Sequence, residues 1–260
     1  MNKYKITAIG FLSVLILSAF SFKSKVTTIY LIGDSTVADY SLEENYQTKK
    51  FPQVGWGQMF QPFFQKDSLK QLKNILGNAK EVKIDDRAKG GRSTRTFFQE
   101  GRWAAVYKSL QKGDLVMMQF GHNDASEEKT ERYVNIEGYK EFLRLFVNQT
   151  REKGAIPIIL TPVARNYPWK EGKLTNVHGE YPKAAKDVAK ELNVKLIDLN
   201  ELSMEFFTNK GQEYVTQNYF MNFDAGLHEA FPKGQKDNTH FQTAGGKEVA
   251  GLVFEAMKNF

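Results

Sequence analysis

Three residues near the two ends of this chain have the types needed for nucleophilic hydrolysis. They are Ser35 in Gly33-Asp34-Ser35, and the pair Asp237 and His240 in Asp237-Asn238-Thr239-His240. A serine hydroxyl is a weak nucleophile near neutral pH, so it needs an imidazole to take its proton and a carboxylate to fix that imidazole's tautomer. The order Ser, Asp, His is one that such enzymes use. A three-residue interval lets one loop or helical turn deliver both carboxylate and imidazole. Taken alone, Gly33-Asp34-Ser35 would also suit a turn and Asp237 a helix cap; two further blocks argue against that. Acyl transfer passes through an oxyanion, which preorganised N–H donors must meet. Gly91, in Gly90-Gly91, lets backbone approach a ligand closely, and Asn123, in Gly121-His122-Asn123-Asp124, offers amide hydrogens. His122 reads as structural, and His178 and His228 have no partner motif.

Short apolar, β-branched runs punctuate the chain at Val26 to Ile32, Val82 to Ile84, Leu115 to Phe120, Ile156 to Leu160 and Val194 to Leu199. Helical patterns fall between and after them, at Trp56 to Phe64, Leu69 to Leu76, Trp103 to Gln111, Ile136 to Glu152, Tyr181 to Leu192 and Ala244 to Lys258. That alternation predicts a parallel sheet with helices on both faces. Ser35, Gly90-Gly91 and the Gly121 to Asp124 block follow the first three runs. Ligands in open α/β sheets bind beyond the carboxyl ends of the strands, so one site is expected there. Trp56 and Trp103 begin helices with apolar faces and are expected in the core. The stretch Asn200 to Asp237 is expected to wrap the rim of the site.

Lys3 and Lys5 precede an uncharged, largely apolar stretch from Ile6 to Phe22, with Ala19 and Ser21 spaced like a cleavage site. This reads as a signal peptide over residues 1–21, leaving residues 22–260 as one domain and the mature protein secreted or periplasmic. The apolar stretch is marginal for a span of about 20 residues, so no stable membrane association is expected after cleavage. The chain has no cysteine, which excludes cysteine catalysis and thiolate metal sites. Its formal charge of +6 falls to +4 once Lys3 and Lys5 leave with the leader. Nucleic acid is not implied by so modest a charge, though a positive field beside the site would favour an acidic substrate.

The common Gly-x-Ser-x-Gly elbow is absent, because Thr36 and Val37 follow Ser35. With its four blocks in order, the sequence resembles the SGNH (GDSL-type) hydrolases. Gly33-Asp34-Ser35-Thr36-Val37-Ala38, Gly55-Trp56-Gly57, Gly91-Arg92-Ser93-Thr94-Arg95 and Gly121-His122-Asn123-Asp124 are similar to the rhamnogalacturonan acetylesterase branch. The resemblance implies a flavodoxin-like three-layer α/β/α sandwich on a central, mainly parallel five-stranded sheet. It implies Ser35 as nucleophile, His240 as base and Asp237 as its orienting carboxylate, with Ser35 N–H, Gly91 N–H and the Asn123 side chain as oxyanion donors. The implied substrate is an acetylated polysaccharide or oligosaccharide, rhamnogalacturonan first, acetylated xylan or short-chain esters otherwise, with no metal and no cofactor. A monomer is expected. Among the arginines near these blocks (Arg87, Arg92, Arg95, Arg102, Arg165), Arg92 and Arg165 are candidates for pairing with galacturonate carboxylates. A metal-dependent phosphoesterase using Asp34, His122, Asp124, Asp237 and His240 is the alternative from another class, but it leaves Ser35 and Asn123 without a role. A non-catalytic glycan-binding module would show strands at short spacing instead.

Overall fold

The computed structural model describes residues 26–260; the expected leader, residues 1–21, lies outside them. Five strands carry the fold: β1 (Val26–Gly33), β2 (Glu81–Asp86), β3 (Leu115–Gln119), β4 (Ile156–Leu160) and, after a two-residue hairpin of β5 (Trp169–Lys170) and β6 (Lys173–Leu174), β7 (Lys195–Ile197). They form one sheet in the order β2-β1-β3-β4-β7 with every pair parallel. Successive strand residues face opposite sides, and each side has its own core. Ile29, Leu31, Leu115 and Met117 pack with Trp56, Phe60 and the closing helix Thr243–Met257. Tyr30, Ile32, Val116 and Met118 pack beneath the helices Arg102–Ser109, Ile136–Glu152 and Tyr181–Glu191. This is the expected three-layer sandwich, with a sheet that is wholly parallel. Trp56 and Trp103 are both 1% exposed and belong to the two cores. Among the described residues no helix is long and apolar enough to cross a membrane.

The chain leaves β1 to reach β2 on one side and β3 on the other, which makes the β1/β3 carboxyl end the switch point of the sheet. Local structure departs from expectation where this site is built. The stretch Trp56 to Phe64 is two single 3-10 turns, Trp56–Met59 and Gln61–Phe63, rather than a helix. Its backbone is spent elsewhere: Gly55, Trp56 and Gly57 donate to the carbonyls of Ala38, Thr36 and Val37 at 3.0, 2.9 and 2.9 Å. Those first amides would be free in a helix too; what ends one is Pro62, which has no N–H to continue it. The stretch Leu69 to Leu76 is likewise broken, into turns that meet at Leu72, whose backbone leaves helical angles. β7 stops at Ile197 because Asp198 caps the helix Leu199–Lys210, its side chain accepting from Glu201 N–H. The stretch after it is ordered as that helix, Gln212–Asn218, and an antiparallel hairpin of β8 (Phe220–Phe223) and β9 (Gln235–Phe241). Tyr219 and Phe220 are buried and pack it down, whereas Tyr214 is exposed. A helix at Thr94–Gln99, closed by a capping box between Ser93 and Thr96, was not expected.

Candidate active site

Ser35 sits on the tight turn that follows β1. Asp34 builds this turn: its Oδ1 accepts from Thr36 N at 2.9 Å and Thr36 Oγ1 at 2.8 Å, and its carbonyl accepts from the amides of Val37 and Ala38. Gln119, at the end of β3, clamps the turn by donating to Thr36 Oγ1 at 2.7 Å while accepting from Trp56 Nε1 at 2.9 Å. The serine is thus held by side chains from three segments of the chain, all fully buried or nearly so.

Asp237 and His240 reach Ser35 from the opposite rim, on β9 rather than on a loop or helical turn. A register shift in the β8–β9 pairing bulges the strand, and Asp237 Oδ1 accepts from the amides of Thr239 (2.7 Å) and His240 (3.1 Å). The other oxygen, Oδ2, lies 2.7 Å from His240 Nδ1, and His240 Nε2 lies 2.9 Å from Ser35 Oγ. Nδ1 is therefore the protonated nitrogen that donates to the carboxylate, leaving Nε2 to accept from the serine. Burial works to raise the Asp237 carboxyl, but His240 and the two amides outweigh it and hold the group below the usual carboxylate range. Asn222 and Asn166 tie this strand down through the Asp237 carbonyl and the Asn238 side chain.

Gly91 and Asn123 line the same open cavity as Ser35 and His240, a space of about 730 Å³. Gly91 has φ of +80°, a left-handed conformation that favours glycine, while Gly90 is the closely packed neighbour, against the Tyr40 hydroxyl. Among the described residues no backbone carbonyl accepts from the N–H of Ser35 or of Gly91. The Asn123 side chain donates one hydrogen to Arg92 O at 2.9 Å, which leaves its second free. Asp124 locks the two donor segments together: Oδ1 accepts from Thr94 N and Oγ1 at 2.9 and 2.6 Å, and Oδ2 from Gly121 N at 3.1 Å. Burial pushes its carboxyl up to about 7.

His122 is buried, with Nδ1 3.3 Å from Asp34 Oδ2 and its ring 4.4 Å from that of His178. Burial pushes its imidazole down, with Asp34 opposing. The five residues that could have served a metal are not gathered for it: Asp34 and Asp124 spend oxygens on amides and hydroxyls, and among the described residues no three His, Asp or Glu groups converge on one point.

The sequence pattern of the GDSL-like lipase/acylhydrolase family matches residues 31–245, a span that contains the whole of this site. The chain belongs to that family. Its GDSL-like relatives include the rhamnogalacturonan acetylesterase RhgT of Bacillus subtilis, 36% identical over 234 residues covering 90% of each chain. Another from the same organism, named "Probable rhamnogalacturonan acetylesterase YesY", is 39% identical over 88% of this chain and 92% of its own. The crystal structure of B. subtilis YxiM superposes with a TM-score of 0.71 at 28% identity, covering 90% of this chain and 57% of that longer one.

Two arginines fare differently in this GDSL-like site. Arg165 lines the cavity, donating to His122 O (3.2 Å) and Tyr167 Oη (2.8 Å). Arg92 does not line it; its guanidinium is spent on Glu100 and on Gly90 O, so it braces the Gly91 turn from behind. Arg87 pairs with Asp85, Arg102 with Glu100, and Arg95 donates to Thr130 O. Sequence reasoning missed Gln119, Asp34 and Thr36 as the clamp of the nucleophile turn, and Lys50, Lys89, Lys129, Arg132 and Phe231 as lining residues. For Lys129 and Arg132 the signal was position alone: they lie five and eight residues past Asp124, on the segment that follows β3.

Proposed function

We propose that this chain is an exported serine carbohydrate esterase that removes acetyl groups from a plant cell-wall polysaccharide, rhamnogalacturonan in first place. The observation that carries the mechanism is the unbroken hydrogen-bond chain from Asp237 through His240 to Ser35 at the mouth of a cavity open enough for a sugar polymer. The substrate class rests on the relatives named for rhamnogalacturonan acetylesterase activity along nearly the full chain. Export rests on the leader pattern in residues 1–21.

Ser35 Oγ attacks the acetyl carbonyl as His240 Nε2 takes its proton, and Asp237 stabilises the imidazolium. The oxyanion is met by the N–H groups of Ser35 and Gly91 and the free Asn123 hydrogen. As the intermediate collapses, His240 returns the proton to the sugar oxygen, which leaves as a hydroxyl and gives acetyl-Ser35. Water, deprotonated by the same nitrogen, releases acetate and restores the serine.

Acetate release from acetylated rhamnogalacturonan tests this reading, with wild type, chelator-treated wild type and Ser35→Ala compared. Release that survives the chelator and vanishes in Ser35→Ala is the expected result. A fully active Ser35→Ala protein would overturn the mechanism, and activity lost to chelator would favour the metal chemistry instead.

A further inference from the structure

The charge around the Ser35 cavity is lopsided. Five cations line it, Lys50, Lys89, Lys129, Arg132 and Arg165, against two carboxylates, Glu43 and Asp237. Both carboxylates are engaged, Glu43 with Lys89 at 2.5 Å and Asp237 with His240. Of the cations left over, Arg165 donates to protein oxygens and Lys50 lies over the Tyr40 ring. Arg132 has no such employment. It is half-buried, its Nε is closed off without a hydrogen-bond partner among the described residues, and its Nη1 stands 3.6 Å from the point where a Gly91 side chain would begin. A buried, unpaired Nε beside the Gly91 turn is a costly arrangement, and the two Nη groups of the same fork are engaged by no protein acceptor among the described residues.

The position is also fixed. Arg132 and Tyr133 donate their amides to Lys129 O at 2.9 Å each, Val134 donates to Asp124 O at 3.0 Å, and Arg95 holds Thr130 O at 2.7 Å. The turn bearing Lys129 and Arg132 is therefore anchored to the block that supplies Asn123. A planar fork carried on an anchored turn beside Gly91 suits a carboxylate, which it can grip in a bidentate fashion.

We propose that Arg132, with Lys129 on the same turn, forms a subsite for the carboxylate of a uronate residue beside the acetylated sugar. This rests on the carbohydrate-esterase reading and adds to it which part of the polymer is read. The uronate can come from two sources, galacturonate of a pectic backbone or a glucuronate branch on xylan, and the chemistry at Arg132 is the same.

Titration calorimetry on the full chain tests it without turnover. The ligands are unacetylated rhamnogalacturonan oligosaccharides, the same oligosaccharides with their carboxyl groups reduced to primary alcohols, and glucuronate-bearing xylo-oligosaccharides. At least one uronate ligand should bind about tenfold or more tightly than the reduced oligosaccharide, and which one does so identifies the source. Arg132→Gln should weaken that binding by about tenfold to a hundredfold, the range for losing a hydrogen bond to a charged group, with Lys129→Gln losing less and Arg132→Lys recovering part. Binding of the reduced oligosaccharide should be the same in all variants. Neither uronate ligand binding more tightly than the reduced oligosaccharide, or an unaltered Kd in Arg132→Gln for the one that does, would each overturn the proposal. The esterase reading fails by a different observation, absence of acetate release from every acetylated polysaccharide.

Discussion

Asp237 divides its two oxygens between two tasks, one shaping the bulged strand through the amides of Thr239 and His240, the other orienting the imidazole. Asp237→Asn keeps the size but offers His240 Nδ1 an amide that need not accept, so the imidazole loses its fixed tautomer. Turnover should drop by about 10³- to 10⁴-fold, read as kcat on any acetyl ester. The same carboxyl carries a pH signature. Because its folded pKa is held below the ordinary value of 3.8, it contributes stability that is present above that value and lost as pH falls through the lower folded one. Melting temperatures taken downward from pH 6 should therefore fall more steeply for wild type than for Asp237→Asn once the pH passes below about 4; parallel curves would mean that the strand does not depend on the charge. At the oxyanion, Asn123→Ala should lower kcat by about 10²- to 10³-fold with little change in KM. Part of that loss belongs to the Gly91 turn, which Asn123 also holds through Arg92 O.

At the scale of elements, the Gly55-Trp56-Gly57 segment is the bracket that fixes the nucleophile turn. Its three amides bond to residues 36–38, and a Cβ on Gly55 would stand 2.5 Å from both the amide nitrogen and the carbonyl oxygen of Ala38. Gly55→Ala should cost about 1–3 kcal/mol in urea unfolding, the usual scale for overpacking, and lower kcat as the turn shifts. Gly251→Ala is its counterpart: that glycine lies within the helix Thr243–Met257 with the Phe63 ring at an ordinary 3.6 Å, so the change should stabilise by about 0.5–1 kcal/mol. The contrast explains what could be read from residues alone. Strands such as β1 and β4 were legible because a two-sided buried strand must be an apolar run, whatever it packs against. The Trp56 to Phe64 stretch was misread because its apolar spacing is helical, while Pro62 interrupts it and Trp56 and Gly57 donate to carbonyls 20 residues earlier, which no local pattern records. For the same reason the Asp237 and His240 types were legible but their strand was not: the bulge depends on pairing with β8. The Lys129 and Arg132 turn hides in the charged stretch Ser126 to Arg132, which by composition alone is ordinary surface.

Across the whole molecule the formal charge of +6 is small for 260 residues, so any attraction for an acidic polymer must come from where the cations stand rather than from how many there are. They stand around the cavity: Lys50, Lys89, Lys129, Arg132 and Arg165 share one concave surface with the reacting serine. Low-dielectric walls focus such a field toward the mouth, and mobile ions quench it over a screening length of about 10 Å at 0.1 M salt and about 3 Å at 1 M. Raising NaCl from about 0.05 to 0.5 M should therefore reduce kcat/KM on acetylated rhamnogalacturonan several-fold, through KM, while hydrolysis of neutral 4-nitrophenyl acetate stays level. Equal salt responses for the two substrates would show that the cavity rim exerts no steering. The local and the collective effects also separate in one further comparison. In Arg132→Gln the polymer should bind more weakly at low and high salt alike, but most of the salt slope should persist, because four cations still face the cavity and the slope counts them together.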